Sequence, residues 1–291
     1  MTTESEKMTT GMKPDFWPDP SAMPFGVPIG ERTFVMGVLN ITPDSFSDGG
    51  QWAATDAAVD HAHGMAAEGA DIIDIGGEST RPNFESVPLD EEMARVMPVL
   101  ERLALDGFAV PISIDTMKPA MAAAAVRAGA RMINDIRGLQ GEPDMARVVA
   151  DCDTGLIAMY HRNEIDDEID IIENMHHFFE RTLEIAARAG IPDRRMMLDP
   201  GIGFGKSHQQ NLVLIGHCQK LQQRFGLPVL LGTSRKSFIG RIVASEASAR
   251  IPGSIASAVL GGTDMVRVHD VAETVQAMRV ADAIRKAMIC P

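Results

Sequence analysis

The chain has 291 residues and is 45% hydrophobic, which is enough to bury the core of one sizeable domain. Its net charge of -13 argues against a nucleic-acid partner or an anionic membrane surface, both of which would be repelled at long range. The three cysteines, Cys152, Cys218 and Cys290, lie far apart without a CxxC pair; this argues against a disulfide framework or a zinc site and suits a cytoplasmic home. No apolar run reaches the roughly 18 residues of a membrane span, and the acidic residues near the N-terminus do not fit a signal peptide.

Residues 1–30 are polar and rich in Pro and Met, and they are expected to form a loosely ordered extension outside a domain at 31–291. From Thr33 onward, short β-rich runs alternate with helix-length segments. The runs are FVMGVL (34–39), DIIDI (71–75), PISID (111–115), RMIND (131–135), GLIAMY (155–160), RMMLD (195–199), PVLLG (228–232) and DMVRV (264–268). Between them lie amphipathic stretches such as 57–70, 118–130 and 145–152, several ending at a helix-stopping Gly. Near-continuous apolar strands alternating with helices predict an α/β fold with a parallel sheet covered on both faces. Eight units favour a single-domain (β/α)8 TIM barrel, with an open doubly wound sheet as the alternative.

Polar residues follow the strands: Asn40, Gly76-Gly77-Glu78, Asp115, Asn134-Asp135, Asp199, Gly232, and Arg267 with His269. In a barrel these positions open onto one rim, where barrel enzymes place catalytic groups. A helix cap explains any one of them, because capping uses the same side chains at the same place. It is a poor account of all of them together.

The loop NITPDSFSDGG (40–50) is a candidate lid or a plain connection. LDPGIGFGKS (198–207) fails as a phosphate loop, since Gly201 to Lys206 is one position short and Pro200 occupies the required site. Its glycines are expected to turn sharply after a strand and approach a flat ligand, with Phe204 as a wall. TSRKSFIG (233–240) sets Arg235 and Lys236 beyond the seventh strand, in the usual phosphate region of barrels. Arg267 and His269 are two apart, so both side chains point the same way. His61, His63, His176, His177, Glu91, Glu92, Asp166, Asp167 and Glu168 read as solvent-facing.

The ordered motifs MGVLNITPDSFSDGG, GGESTRP, SIDT, NDIRG, LDPGIGFGK, GTSRKSFIG and VRVHDV resemble the dihydropteroate synthase family of folate biosynthesis across about residues 33–289. The resemblance implies condensation of a dihydropterin-methyl diphosphate with 4-aminobenzoate and release of pyrophosphate by a dissociative path. It places the pterin on Asp115, Asn134, Met159, Asp199, Phe204, Gly232 and Lys236. A pterin's amino group and ring N–H suit a carboxylate such as Asp199, and Asn134 offers both a donor and an acceptor.

By the same resemblance the diphosphate falls to Asn40, Thr80, Arg81, Arg267 and His269, with Asn40 supplying an oxygen to Mg²⁺. The 4-aminobenzoate falls to Phe46, Arg81, Pro82, Ser234 and Lys236. Asp115, Lys236, Arg267 and His269 are the implied catalytic set. Sulfonamides are implied inhibitors and a homodimer the implied assembly, with the segment at 254–271 associated with the dimer contact. The chain departs from the family after the fifth strand, where MYHRNEIDDEID replaces the usual pattern, at Asn83, and in an apparently shorter 254–271 segment. A corrinoid-linked pterin methyltransferase and a non-catalytic pterin-binding paralogue are the competing readings.

Overall fold

The computed structural model describes residues 32–42, 50–78 and 87–289, without side-chain detail at 50–53 and 289. All eight expected runs form strands: β1 (Phe34–Asn40), β2 (Ile72–Gly76), β3 (Ile112–Asp115), β4 (Met132–Asp135), β5 (Gly155–Met159), β6 (Met196–Asp199), β7 (Leu230–Leu231) and β8 (Met265–Val268). They pair in parallel in the order β6-β5-β4-β3-β2-β1-β8-β7. A parallel bridge between Leu198 and Val229 joins the two ends, backed by the Leu198 N–H donating to Pro228 O at 2.9 Å. The sheet is therefore a barrel, and the open doubly wound alternative is ruled out.

The surrounding helices are α1 (Gly50–Glu68), α2 (Leu89–Leu105), α3 (Pro119–Arg127), α4 (Met145–Asp151) and α5 (Ile171–Ala189), followed by α6 (His208–Gly216), α7 (Cys218–Phe225), α8 (Ser237–Val243), α9 (Ile251–Gly261) and α10 (Val271–Ile289). Their ends follow local chemistry. The Asp170 side chain accepts from the N–H groups of Ile172 and Glu173 at the start of α5, and left-handed Gly190 closes it. Ser207 and Gln210 form a capping box on α6.

Strand alternation sorts the core into two shells. Val35, Leu39, Ile73, Ile75, Ile114, Ile133, Leu198 and Val266 face outward and join the helices' apolar stripes in one large cluster. Phe34, Met36, Ile72, Met132, Ile157, Met197, Leu230 and Met265 fill the barrel interior as a separate cluster. That interior plug is a floor for whatever lies further along the strands.

Candidate active site

Two residues beyond the plug on each strand, the side chain again faces inward. Counting from Ile72, Met132, Ile157, Met197, Leu230 and Met265 gives Asp74, Asn134, Met159, Asp199, Gly232 and Arg267. Asp115 joins them through its register with Gly76 and Asn134. The barrel is thus mainly apolar at one level, where buried Ser113 stands beside Met132, and mainly polar at the next.

The polar level is a bonded network. Arg267 Nε donates to Asp74 Oδ2 at 2.6 Å and Arg267 Nη2 to Asp115 Oδ2 at 2.8 Å. Asn134 Nδ2 donates to the same Asp74 oxygen at 3.0 Å. Asp74 Oδ1, Asp115 Oδ1 and Asn134 Oδ1 are buried and accept no hydrogen bond, a costly arrangement unless a donor-bearing ligand completes it. Burial pushes the Asp115 carboxyl up to about 7, although Arg267 pulls the other way. Burial also works against the Arg267 charge, but Asp74 and Asp115 more than offset it and hold the guanidinium protonated.

Beyond β7, Lys236 Nζ donates to Ile202 O and lies 4.9 Å from the centre of the Phe204 ring, within cation–π range. Burial lowers the Lys236 ammonium to about 8, opposed in part by Asp199. Asp199 is itself raised by burial, with Lys236 counteracting, and its Oδ1 accepts from Gly201 N at 2.7 Å. A side chain at Gly232 would stand 3.9 Å from both Lys236 Nζ and Arg267 Cβ, so the glycine keeps open the gap between the two cations.

The loop after β6 fits only because it is glycine-rich. Gly201 has φ +65° and a Cβ there would lie 2.0 Å from Tyr160 O; Gly205 has φ +60° and its Cβ would lie 2.2 Å from Arg162 O. Buried Lys206 fastens the same contact by donating to Tyr160 O at 2.9 Å and Phe204 O at 2.8 Å. Burial lowers its pKa well below the usual lysine range.

The unusual segment after β5 is docked rather than left loose. Tyr160 OH and Arg162 Nη1 both donate to Asn174 Oδ1, at 2.6 and 2.9 Å. His161 packs its ring 5.9 Å from that of Phe204, and burial holds it neutral by lowering it to about 4. On the other rim, the His269 N–H donates to Ser234 Oγ at 3.1 Å, and Nδ1 lies 3.0 Å from the same oxygen. Asn40 ends β1 half-buried, in register with Gly76.

The site therefore brings together Asp115, Asn134, Met159, Asp199, Phe204, Gly232, Lys236 and Arg267, with Ser234 and His269 joined to each other. Phe46, Thr80, Arg81 and Pro82 lie outside the described residues. Arg235 does not join the expected anion region, because Asp270 takes its guanidinium, Nε to Oδ2 at 3.0 Å. Asp135 is the cap-like residue of the set, accepting from Arg137 N at 2.9 Å and Leu139 N at 2.7 Å. Among the described residues there is no cluster of three or more His, Cys, Asp or Glu able to hold a metal.

Two surface expectations are corrected. Glu92 is fully buried and shares Lys118 with buried Glu78, because α2 turns this one of its three first-turn acids inward against Gly77, just past β2. His176 is buried too, its ring 5.9 Å from Phe225. Sequence reasoning also missed Asp74 and the role of Lys206. The signal for Asp74 lay in its spacing, two residues before Gly76 on a strand whose other side chains are isoleucines.

A family model described as pterin binding enzyme matches residues 36–269. The dihydropteroate synthase of Clostridium beijerinckii is 44% identical over 260 residues, covering 88% of this chain and 96% of that protein. The crystal structure of the Clostridium difficile dihydropteroate synthase in the presence of pteroic acid superposes with a TM-score of 0.85 at 44% identity, over 88% of this chain and 98% of the other. That of the Xanthomonas albilineans enzyme with 4-aminobenzoic acid gives 0.83 at 44% identity, over 87% and 93%. A barrel of this topology, an acceptor-lined floor between two cations and similarity along nearly the whole fold place the chain in the pterin binding enzyme family, among the dihydropteroate synthases, transferases of the folate pathway.

Proposed function

We propose that the enzyme condenses (7,8-dihydropterin-6-yl)methyl diphosphate with 4-aminobenzoate to give 7,8-dihydropteroate and pyrophosphate. The observation that carries this reading is the set of unpartnered buried oxygens on Asp115 and Asn134, on the same inward-facing level as Asp199 and within electrostatic range of Lys236. A pterin's amino and ring N–H groups are the donors such a floor lacks. Met159, Phe204 and Gly232 bound the flat ring.

The diphosphate is assigned to His269, to Asn40, to Thr80 and Arg81, and to the part of the Arg267 guanidinium not committed to Asp74 and Asp115. Asn40 presents a neutral oxygen donor, with no carboxylate cluster around it among the described residues. This suits Mg²⁺, a hard cation that keeps waters and substrate phosphate oxygens as its other ligands. When bound, the ion supplies charge neutralisation on the diphosphate. The C–O bond breaks first, with its electron pair leaving on pyrophosphate, whose charge Arg267 and His269 stabilise. The Asp115 carboxylate faces the pterin-methyl cation, the arylamine lone pair then closes the C–N bond, and the proton lost from that nitrogen passes to the released pyrophosphate or to solvent.

Ser234, Lys236, Phe46, Arg81 and Pro82 form the 4-aminobenzoate subsite in this reading. Sulfonamides carry the same arylamine and compete for it. A cytoplasmic location belongs to this reading, on the sequence spacing of the three cysteines alone. A homodimer forms through the exposed apolar face of α9 and α10.

The test is pyrophosphate release with Mg²⁺ and both substrates, alongside Lys236→Ala and Asp115→Ala. Turnover by the wild type and its loss in both variants is the expected result. Pterin binding without pyrophosphate release would instead select a non-catalytic paralogue, and methyl transfer to a corrinoid the methyltransferase.

A further inference from the structure

We propose that Asp74 is a positioning residue that fixes which face Asn134 and Arg267 present to the ligand. The identity of that ligand rests on the function proposed above. Asp74 is fully buried in the middle of β2, between two isoleucines that face the helices. It caps no helix and closes no turn, in contrast to Asp135. Its partners come instead from β4 and β8, on opposite sides of it.

A single oxygen, Oδ2, accepts from Asn134 Nδ2 at 3.0 Å and from Arg267 Nε at 2.6 Å. In both bonds Asp74 Oδ2 is the acceptor. It therefore engages only the NH₂ end of the Asn134 amide and turns the carbonyl end, Oδ1, away from itself. That oxygen is buried without a protein partner, so Asn134 offers an acceptor to whatever enters. Asp74 thereby selects a ligand edge made of donors.

The second bond acts on the plane of Arg267. With Nε held by Asp74 and Nη2 by Asp115 at 2.8 Å, the guanidinium is fixed at two points, as charge-assisted bonds to a planar fork require. Asp74→Asn is close to isosteric, yet its amide can donate to Asn134 Oδ1 and so admits the reversed amide. It also gives up the charged acceptor for Arg267.

Calorimetry with 6-hydroxymethyl-7,8-dihydropterin and steady-state kinetics with each substrate varied separate this role from a general structural one. Asp74→Asn is expected to weaken pterin binding by about tenfold or more while the KM for 4-aminobenzoate stays nearly unchanged. Equal weakening of both substrates, or of neither, overturns the assignment. In Asp74→Ala, added formate is expected to restore pterin affinity by filling the carboxylate's place, and failure to do so counts against the proposal.

One measurement needs neither ligand nor variant. In the free wild-type enzyme the Arg267 Nε–H and Asn134 side-chain N–H protons are expected to exchange slowly with solvent, and fast exchange overturns the proposal. If the wild type fails to bind pterin, the function proposed above falls, and the exchange result still decides whether Asp74 holds these two side chains.

Discussion

At the scale of single residues, the site places a carboxyl raised to about 7, Asp115, within electrostatic range of an ammonium lowered to about 8, Lys236. The proposed chemistry uses Asp115 ionised and Lys236 protonated. Activity should therefore rise as pH passes about 7 and fall as it passes about 8, giving a narrow bell in kcat/KM for the pterin substrate. Stability runs the opposite way. The raised Asp115 stabilises the fold fully below the ordinary carboxylate range, and that contribution is lost as pH rises through about 7. The depressed Lys236 stabilises fully above the ordinary lysine range, and that contribution is lost as pH falls through about 8. The two groups support folding least in the window where they support turnover best, a trade expected of functional sites. Measured pH profiles of kcat/KM check this: Asp115→Asn should lose the acid limb along with roughly 100-fold in rate, and a wild-type profile flat across about pH 6 to 9 would refute the assignment of both limbs. Most of these residues were legible because each ends a strand and sits in an ordered motif. Asp74 was not, since within DIIDI it reads as strand interior until inward alternation is counted back from Gly76.

At the scale of elements, the structure depends on close contacts that the local pattern hints at only partly. The glycines after β6 were readable as a sharp turn, but the strand end they press against was not. Gly201 and Gly190 separate these two demands, for both have positive φ, +65° and +81°, while only Gly201 would drive a Cβ into backbone, 2.0 Å from Tyr160 O. Gly190→Ala should cost about 1–2 kcal/mol from its left-handed conformation alone. Gly201→Ala should cost clearly more in thermal or denaturant unfolding, and it should also weaken pterin binding by moving Ile202 and Phe204. Equal losses at the two positions would remove the claim that the loop is packed against β5. Lys118 is a second case, joining Glu78 at the end of β2 to Glu92 on α2, the latter at 2.7 Å. Nothing in the run LDEEMARV marks Glu92 as buried, because its cation comes from 26 residues away. Lys118→Met strands two buried carboxylates and should destabilise the protein by about 3–5 kcal/mol. Glu91→Gln, which removes an exposed partner of Arg95 on the same helix, should change stability by less than about 1 kcal/mol.

At the scale of the whole molecule, the barrel was legible because eight apolar runs at regular spacing admit few other folds. Its closure was harder to read, since β7 is only two residues long and meets β6 through a single bridge. Assembly is the least local property, and it is argued from the outer surface. Leu260 on α9 and Val280, Ile284 and Met288 on α10 are each more than half exposed. Val259, Ala277, Ala281 and Ile284 line a groove between the two helices in which Glu273 is the only charged residue. With a net charge of -13, two copies repel at long range, so contact is favoured where the surface is apolar and uncharged. A two-fold contact must also be self-complementary. A pair of packed helices bearing an apolar stripe satisfies that condition, whereas the acidic remainder of the surface does not. Sedimentation should accordingly find the wild type dimeric, and Val280→Glu with Ile284→Glu should convert it to a folded monomer by setting like charges opposite one another across the axis. The side chains assigned to the pterin site all come from one chain, so that monomer should still bind pterin. A double variant that stays dimeric would move the interface to another face.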